Sequence, residues 1–189
     1  ILNAKTIVIK IGSSILIDPK KNILKNKWLN SLLDEIAFLK KNGKKIIIVS
    51  SGSIALGKSV LNLSSKKLKL DESQASAAIG QIKLAQAYDL ILKKYNIYTA
   101  QILLTSDDSQ NRRRYLNIRS TFKSLLKMGV IPIVNENDTV ATEEIKFGDN
   151  DRLAAQVALI TEANLLILLS DIDGLYDKDP NINPDAKHL

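Results

Sequence analysis

The chain of 189 residues has no cysteine, one histidine, one tryptophan and one methionine. Without cysteine there is no disulfide, no redox thiol and no thiolate metal site. The single histidine, His188, stands next to the last residue. That placement argues against a Ser-His-Asp or Cys-His nucleophile and leaves no histidine-based zinc site. No apolar run approaches the roughly 20 residues that span a bilayer, and no secretory signal opens the chain, which begins at Ile1 rather than Met. A cytoplasmic protein with no membrane partner is expected. Nine aromatic residues (five Tyr, three Phe, one Trp) show no stacking pattern among the 27 Lys and Arg. The net charge of +7 therefore fits a small anionic substrate better than nucleic acid.

What is present is a globular composition, 45% apolar and 25% charged, enough for one core and one domain over residues 1–189. Short Ile- and Val-rich runs recur at Thr6–Lys10, Lys45–Ser50, Thr99–Leu104, Val130–Asn135 and Leu165–Ser170. They do not alternate with polar residues, so both faces of these strands are expected to be covered. Helical stripes lie between them. Trp28, Leu29, Leu32, Leu33, Ile36 and Leu39 form one, closed by Gly43. A longer helix is predicted over Asp71–Lys94 with Ala75, Ala78, Ile79, Ile82 and Ala85 inward, and shorter ones over Thr121–Met128 and Arg152–Thr161. Lys58–Leu70 reads as a basic surface loop and Val140–Phe147 as a small hairpin. Strand–helix alternation of this kind predicts an α/β three-layer sandwich with a mainly parallel central sheet.

Ligands of such sheets bind at the carboxyl ends of the strands, so the residues that follow each run are the candidates. Lys10-Ile11-Gly12-Ser13-Ser14 sets an ammonium beside a glycine turn whose N–H groups can meet an anion. A surface lysine is the plain alternative. Ser50-Ser51-Gly52-Ser53 opens a helix with small residues, as an anion loop or as an ordinary cap. Asn135-Glu136-Asn137-Asp138 gathers four polar side chains at one strand end, which is costly unless they bind or cap something. Asp149-Asn150-Asp151 precedes a helix and reads either as a site or as cap acids, and Ser170-Asp171 with Asp173 forms a further polar turn. Neither a Walker A loop nor a G-x-G-x-x-G occurs. Chemistry carried by lysines, carboxylates, amides and backbone N–H groups fits phosphoryl transfer, which depends on positioning and charge. A carboxylate acceptor fits best, because a carboxyl with a pKa near about 4.3 is already ionised and needs no base.

The ordered set VIKIGSSIL, VSSGSIALG, IVNENDTVATEEIKFGDND and LLSDIDGLYDKDP resembles the glutamate 5-kinases of the amino acid kinase superfamily. ASAAIGQIKLAQAY and the LLTSDD…NRRRYLN segment resemble their connecting parts, so the likeness runs over about residues 5–187. The resemblance implies ATP and Mg²⁺ as cofactors and L-glutamate as substrate, converted to L-glutamyl 5-phosphate at the start of proline biosynthesis. It implies Lys10 on the transferred phosphate, and Ser51, Asp138 and Asn150 on the amino acid with Asn135 close by. Asp149 and Asp151 match acids needed for catalysis, Asp151 by orienting Lys10 and a partner lysine. Ser170 and Asp171 match the nucleotide contacts, and Gly12 and Gly52 the phosphate- and substrate-loop glycines. Proline feedback and a homo-oligomer, dimer or tetramer, are implied as well, with Arg112-Arg113-Arg114 in a segment suited to regulation or to a solvated face. The family pattern continues past the DGLY block to a glycine-rich stretch with a second lysine, which these 189 residues do not contain. The chain is therefore expected to bind substrate and to turn over poorly. Another kinase of the superfamily, or a non-catalytic nucleotide- or RNA-binding module, is the alternative.

Overall fold

A computed structural model describes residues 3–63, 68–140, 150–172, 174, 176–178, 180 and 182–189. In chain order the elements are β1 (Thr6–Ile11), α1 (Ser13–Leu16), β2 (Ile17–Asp18), β3 (Ile23–Leu24), α2 (Asn26–Lys41), β4 (Lys45–Ser50), α3 (Ser53–Val60) and α4 (Leu70–Leu92). They continue with β5 (Thr99–Leu104), α5 (Ser106–Gln110), α6 (Arg112–Lys127), β6 (Ile131–Glu136), α7 (Asn150–Thr161) and β7 (Leu165–Leu169). All five long apolar runs are strands of one sheet, in the order β5-β6-β4-β1-β7, and every pairing is parallel.

Because successive side chains of a strand point to opposite faces, each run feeds two cores. Ile7, Ile9, Ile11, Ile46, Ile48, Ile131 and Ile133 pack on one face with Leu29, Leu33 and Ile36 of α2 and Leu84, Tyr88 and Ile91 of α4. Val8, Ile47, Val49 and Val134 pack on the other with Phe122 of α6 and Leu153, Ala154, Val157 and Ile160 of α7. These are the three layers that the unbroken apolar runs predict, and no polar face remains on β1 or β4 to meet water. The chain winds outward from β1 through β4 toward β5, then returns to set β7 on the other side of β1. β1 is thus the switch point of the sheet, and Lys10 lies near its carboxyl end.

Several details depart from sequence patterning. α4 does not turn Ala75, Ala78 and Ile82 inward: they are exposed, Ile82 by 69%, and the buried face is Ser76, Ala77, Gly80, Gln81, Leu84 and Tyr88. The reason is contact between backbones. A Cβ on Gly57 of α3 would lie 1.8 Å from the Ser76 carbonyl oxygen, and one on Gly80 would lie 1.7 Å from that of Ser53. α3 and α4 therefore touch main chain to main chain, and the small residues must face inward whatever their hydrophobicity. α6 begins at Arg112 rather than Thr121, capped by Asn111, whose Oδ1 accepts from the Arg113 and Arg114 amides at 3.1 Å. The short α1 and α5 and the antiparallel β2–β3 ribbon have no periodic signal in the sequence. Lys58–Val60 of the expected basic loop belong to α3. The expected hairpin Val140–Phe147 lies outside the described residues apart from Val140.

Candidate active site

Four peptide segments meet at the carboxyl end of the sheet. Ser51 continues the ladder beyond β4, its N–H donating to the Ile11 carbonyl at 3.1 Å. Gly52 then turns the chain into α3 with φ +108°, where a Cβ would meet the Ile17 side chain at 3.0 Å, so only glycine fits without strain. β6 ends in Asn135 and Glu136, and a 3₁₀ turn carries Asp138 back beneath α3. Asn150 opens α7, but instead of capping the helix its amide points into the protein and is only 3% exposed.

These residues form one hydrogen-bonded net. Asn150 Nδ2 donates to Ser51 Oγ (2.6 Å), to Asn135 Oδ1 (3.0 Å) and to the Ser50 carbonyl (3.4 Å). Asn135 Nδ2 donates to Gln81 Oε1 (2.8 Å) and Ser53 Oγ (3.3 Å), and Ser53 Oγ donates to Asp138 Oδ2 (3.1 Å). Ser50 Oγ shares a 2.8 Å hydrogen bond with the buried Tyr88 hydroxyl, whose ionisation burial pushes up. Ser51, Gly52, Asn135, Asp138 and Asn150, the residues singled out for the substrate, all line one cleft of about 350 Å³ together with Ser53 and Lys58. That volume falls in the range of small-molecule sites. Asp138 is 8% exposed, and burial raises its carboxyl above the usual aspartate value against the pull of the Ser53 hydrogen bond. A cationic group entering the cleft would relieve that cost.

The second half lies where β1 and β7 end side by side. Lys10 Nζ meets Asp151 Oδ1 at 2.7 Å, with Lys10 buried and Asp151 exposed. The Gly12 amide donates to the Leu169 carbonyl at 3.1 Å, and a Cβ on Gly12 would sit 3.3 Å from that oxygen and 3.5 Å from Lys10 Nζ. Ser14 Oγ and Ser170 Oγ donate to the same Asp171 oxygen at 2.9 and 3.2 Å. The Ser14 hydrogen bond above all, with a smaller contribution from the Lys10 charge, holds the Asp171 carboxyl below its ordinary value. The Lys25 ammonium donates to the Ser14 carbonyl at 2.9 Å and fixes that turn.

Lys10, Gly12, Asp151, Ser170 and Asp171 are therefore grouped on one side and the substrate candidates on the other. Asp149 and Asp173 lie outside the described residues. Sequence reading reaches Ser14 and Ser53 only as members of their loops and overlooks Gln81 and Tyr88, which reach the site through tertiary contacts; the position of Gln81 on a helix after a glycine carries no chemical signal of its own. Among the described residues no group of three or more acids or histidines could by itself hold a metal ion. A groove of about 420 Å³ at the amino ends of β1 and β4, rimmed by Lys45, Arg119 and Lys123, is larger but lacks convergent buried amides.

An ion-paired lysine at the switch strand and an amide-lined cleft beside it thus share one end of the sheet. The chain belongs to the amino acid kinase family, whose profile matches residues 5–189. Among curated relatives, the glutamate 5-kinase of Ruegeria sp. (strain TM1040) is 57% identical over 186 residues, covering 98% of this chain and 50% of the relative. That of Agrobacterium fabrum (strain C58 / ATCC 33970) is 60% identical over 183 residues, covering 97% and 47%. The chain thus spans about half the length of the curated relatives it matches. Among solved structures, the UMP kinase from Ureaplasma parvum superposes with a TM-score of 0.61 at 24% identity, over 97% of this chain and 74% of that one. This likeness establishes the fold.

Proposed function

We propose that the protein is an ATP-dependent kinase for the side-chain carboxylate of L-glutamate, and that residues 1–189 form part of its kinase domain. The observation that carries this reading is the meeting of two unlike half-sites: a buried amide cleft for an amino acid and an exposed, lysine-centred corner for phosphate. The glutamate 5-kinase relatives support it.

Asp138, buried and costly as a lone carboxylate, would pair with the substrate ammonium. Ser51 and Asn150 would fix the amino acid so that its side-chain carboxylate faces Lys10. An oxygen of that carboxylate forms a bond to the terminal phosphorus of ATP while the bond from phosphorus to the bridging oxygen breaks. ADP leaves with the electron pair, and no proton has to move. Lys10 neutralises charge on the transferred group, and Asp151 holds its ammonium in place. Gly12 leaves the backbone open to phosphate, and Ser170 and Asp171 contact the nucleotide. The oxygen donors Ser14, Ser170 and Asp171 are hard ligands suited to a metal–phosphate group. Mg²⁺ brought in with the nucleotide would be held beside Ser14, Ser170 and Asp171 and would supply charge neutralisation between the two anions. Asp149 is assigned by resemblance as a further catalytic acid. A cytoplasmic homo-oligomer inhibited by proline accords with the same reading.

Hydroxylamine trapping tests it, because only an acyl phosphate gives a hydroxamate. With the full-length gene product, ATP and L-glutamate are expected to yield hydroxamate. ADP release with another acceptor and none with glutamate overturns the substrate assignment.

A further inference from the structure

The direction of every amide in the buried net is fixed. The Ser50 carbonyl can only accept, so Asn150 must present Nδ2 on that side. The same Nδ2 faces Asn135, which must answer with Oδ1 and therefore turns its own Nδ2 toward Gln81. Gln81 in turn must offer Oε1. Reversing any one amide would set like groups against each other, two NH₂ groups for Gln81 or Asn135 and two carbonyl oxygens for Asn150. Two atoms then remain buried without a partner among the described residues, Gln81 Nε2 at the far end and Asn150 Oδ1 at the near end.

A buried glutamine with an unsatisfied donor is a poor core residue, and a methionine of equal length would fill the space without that penalty. Gln81 does not line the cleft. It is held by the main-chain contact of α3 and α4, where its neighbour Gly80 abuts Ser53. We propose that Gln81 is a positioning residue for the amino-acid acceptor, acting through Oε1 on Asn135 and through Asn135 on Asn150; this rests on the kinase reading above. By holding Asn135 in one orientation it reinforces the orientation of Asn150 that the Ser50 carbonyl selects, and so keeps Asn150, which lines the cleft, in one position.

The test is calorimetric titration of the protein with L-glutamate and, separately, ATP, for wild type, Gln81→Met and Gln81→Glu, with thermal melting as a check on folding. Gln81→Met is expected to weaken glutamate about tenfold and to leave ATP within about twofold, the size of one buried hydrogen bond. Gln81→Glu keeps an oxygen toward Asn135 and is expected to restore glutamate affinity to within about threefold of wild type. Unchanged glutamate affinity in Gln81→Met overturns the inference, as does a Gln81→Glu protein that is folded yet as weak as Gln81→Met. If Gln81→Met does not fold, Gln81→Glu decides alone: near-wild-type affinity supports the acceptor role, and a tenfold loss overturns it. A wild-type protein that binds ATP but no glutamate contradicts the kinase reading instead, which keeps the two failures apart.

Discussion

The two halves of the cleft share the end of β1 but are built from different materials. The amino-acid half is built around buried amides: Asn135 and Asn150 are 2% and 3% exposed, burial raises the carboxyl of Asp138, and Glu136 and Lys58 are the other charged groups on its wall. The phosphate half is charged and more open, with Asp151, Ser170 and Asp171 all exposed and Lys10 and Gly12 enclosed. Amides and hydroxyls in a dry net can recognise a small polar molecule by the donors it lacks or supplies, because each mismatch strands a buried group. Exposed charges act through water and salt, and they tolerate variation in what they hold. Selectivity for the acceptor is thus placed in the buried half and the drive for transfer in the charged half, with Lys10 between them.

The largest effect that would separate the halves is on Lys10. Lys10→Ala should lower kcat about 10³-fold, as removal of a transition-state cation does, while glutamate affinity stays within about twofold. A loss of glutamate binding equal to the loss of rate would show that the halves are one unit. A smaller effect concerns Asp138. Its folded pKa is raised, so the protonated form is the one the fold prefers: as pH rises from the unfolded value of 3.8 through the folded value, its contribution to stability falls. Asp138→Asn should therefore melt higher than wild type at pH 7, with the gain vanishing below pH 3.8. The same variant should bind glutamate worse at neutral pH, and wild-type binding should weaken as pH falls through the raised pKa. The smallest effect is predicted at Asp171, where Asp171→Ala should raise the KM for ATP about threefold and less in high salt.

Much of this plan can be read from the chain before any coordinates. The five strands announce themselves because buried parallel strands cannot carry alternating polar residues. Lys10, Ser51, Asn135, Asp138 and Asn150 stand out because each follows an apolar run or opens a helix where the sheet ends. The inward face of α4 is not legible. An apolar count selects Ile82 and Ala78, whereas the fold buries Gly80, Ser76 and Gln81, since close approach of two helices and a hydrogen bond to Asn135 outweigh hydrophobicity. Gln81 and Asn135 are 54 positions apart, and local pattern carries no signal at that distance. The β2–β3 ribbon, with two-residue strands, is too short for any periodicity to mark.

The division between a selective buried half and a charged half is tested most directly by titrating L-glutamate, without nucleotide, into wild-type, Asn150→Leu and Asp171→Ala protein. The account predicts saturable binding to wild type, a loss of about 30-fold in Asn150→Leu, equivalent to roughly 2 kcal/mol for breaking the net, and wild-type affinity in Asp171→Ala. Binding that survives Asn150→Leu while it collapses in Asp171→Ala would place acceptor selectivity in the charged half instead.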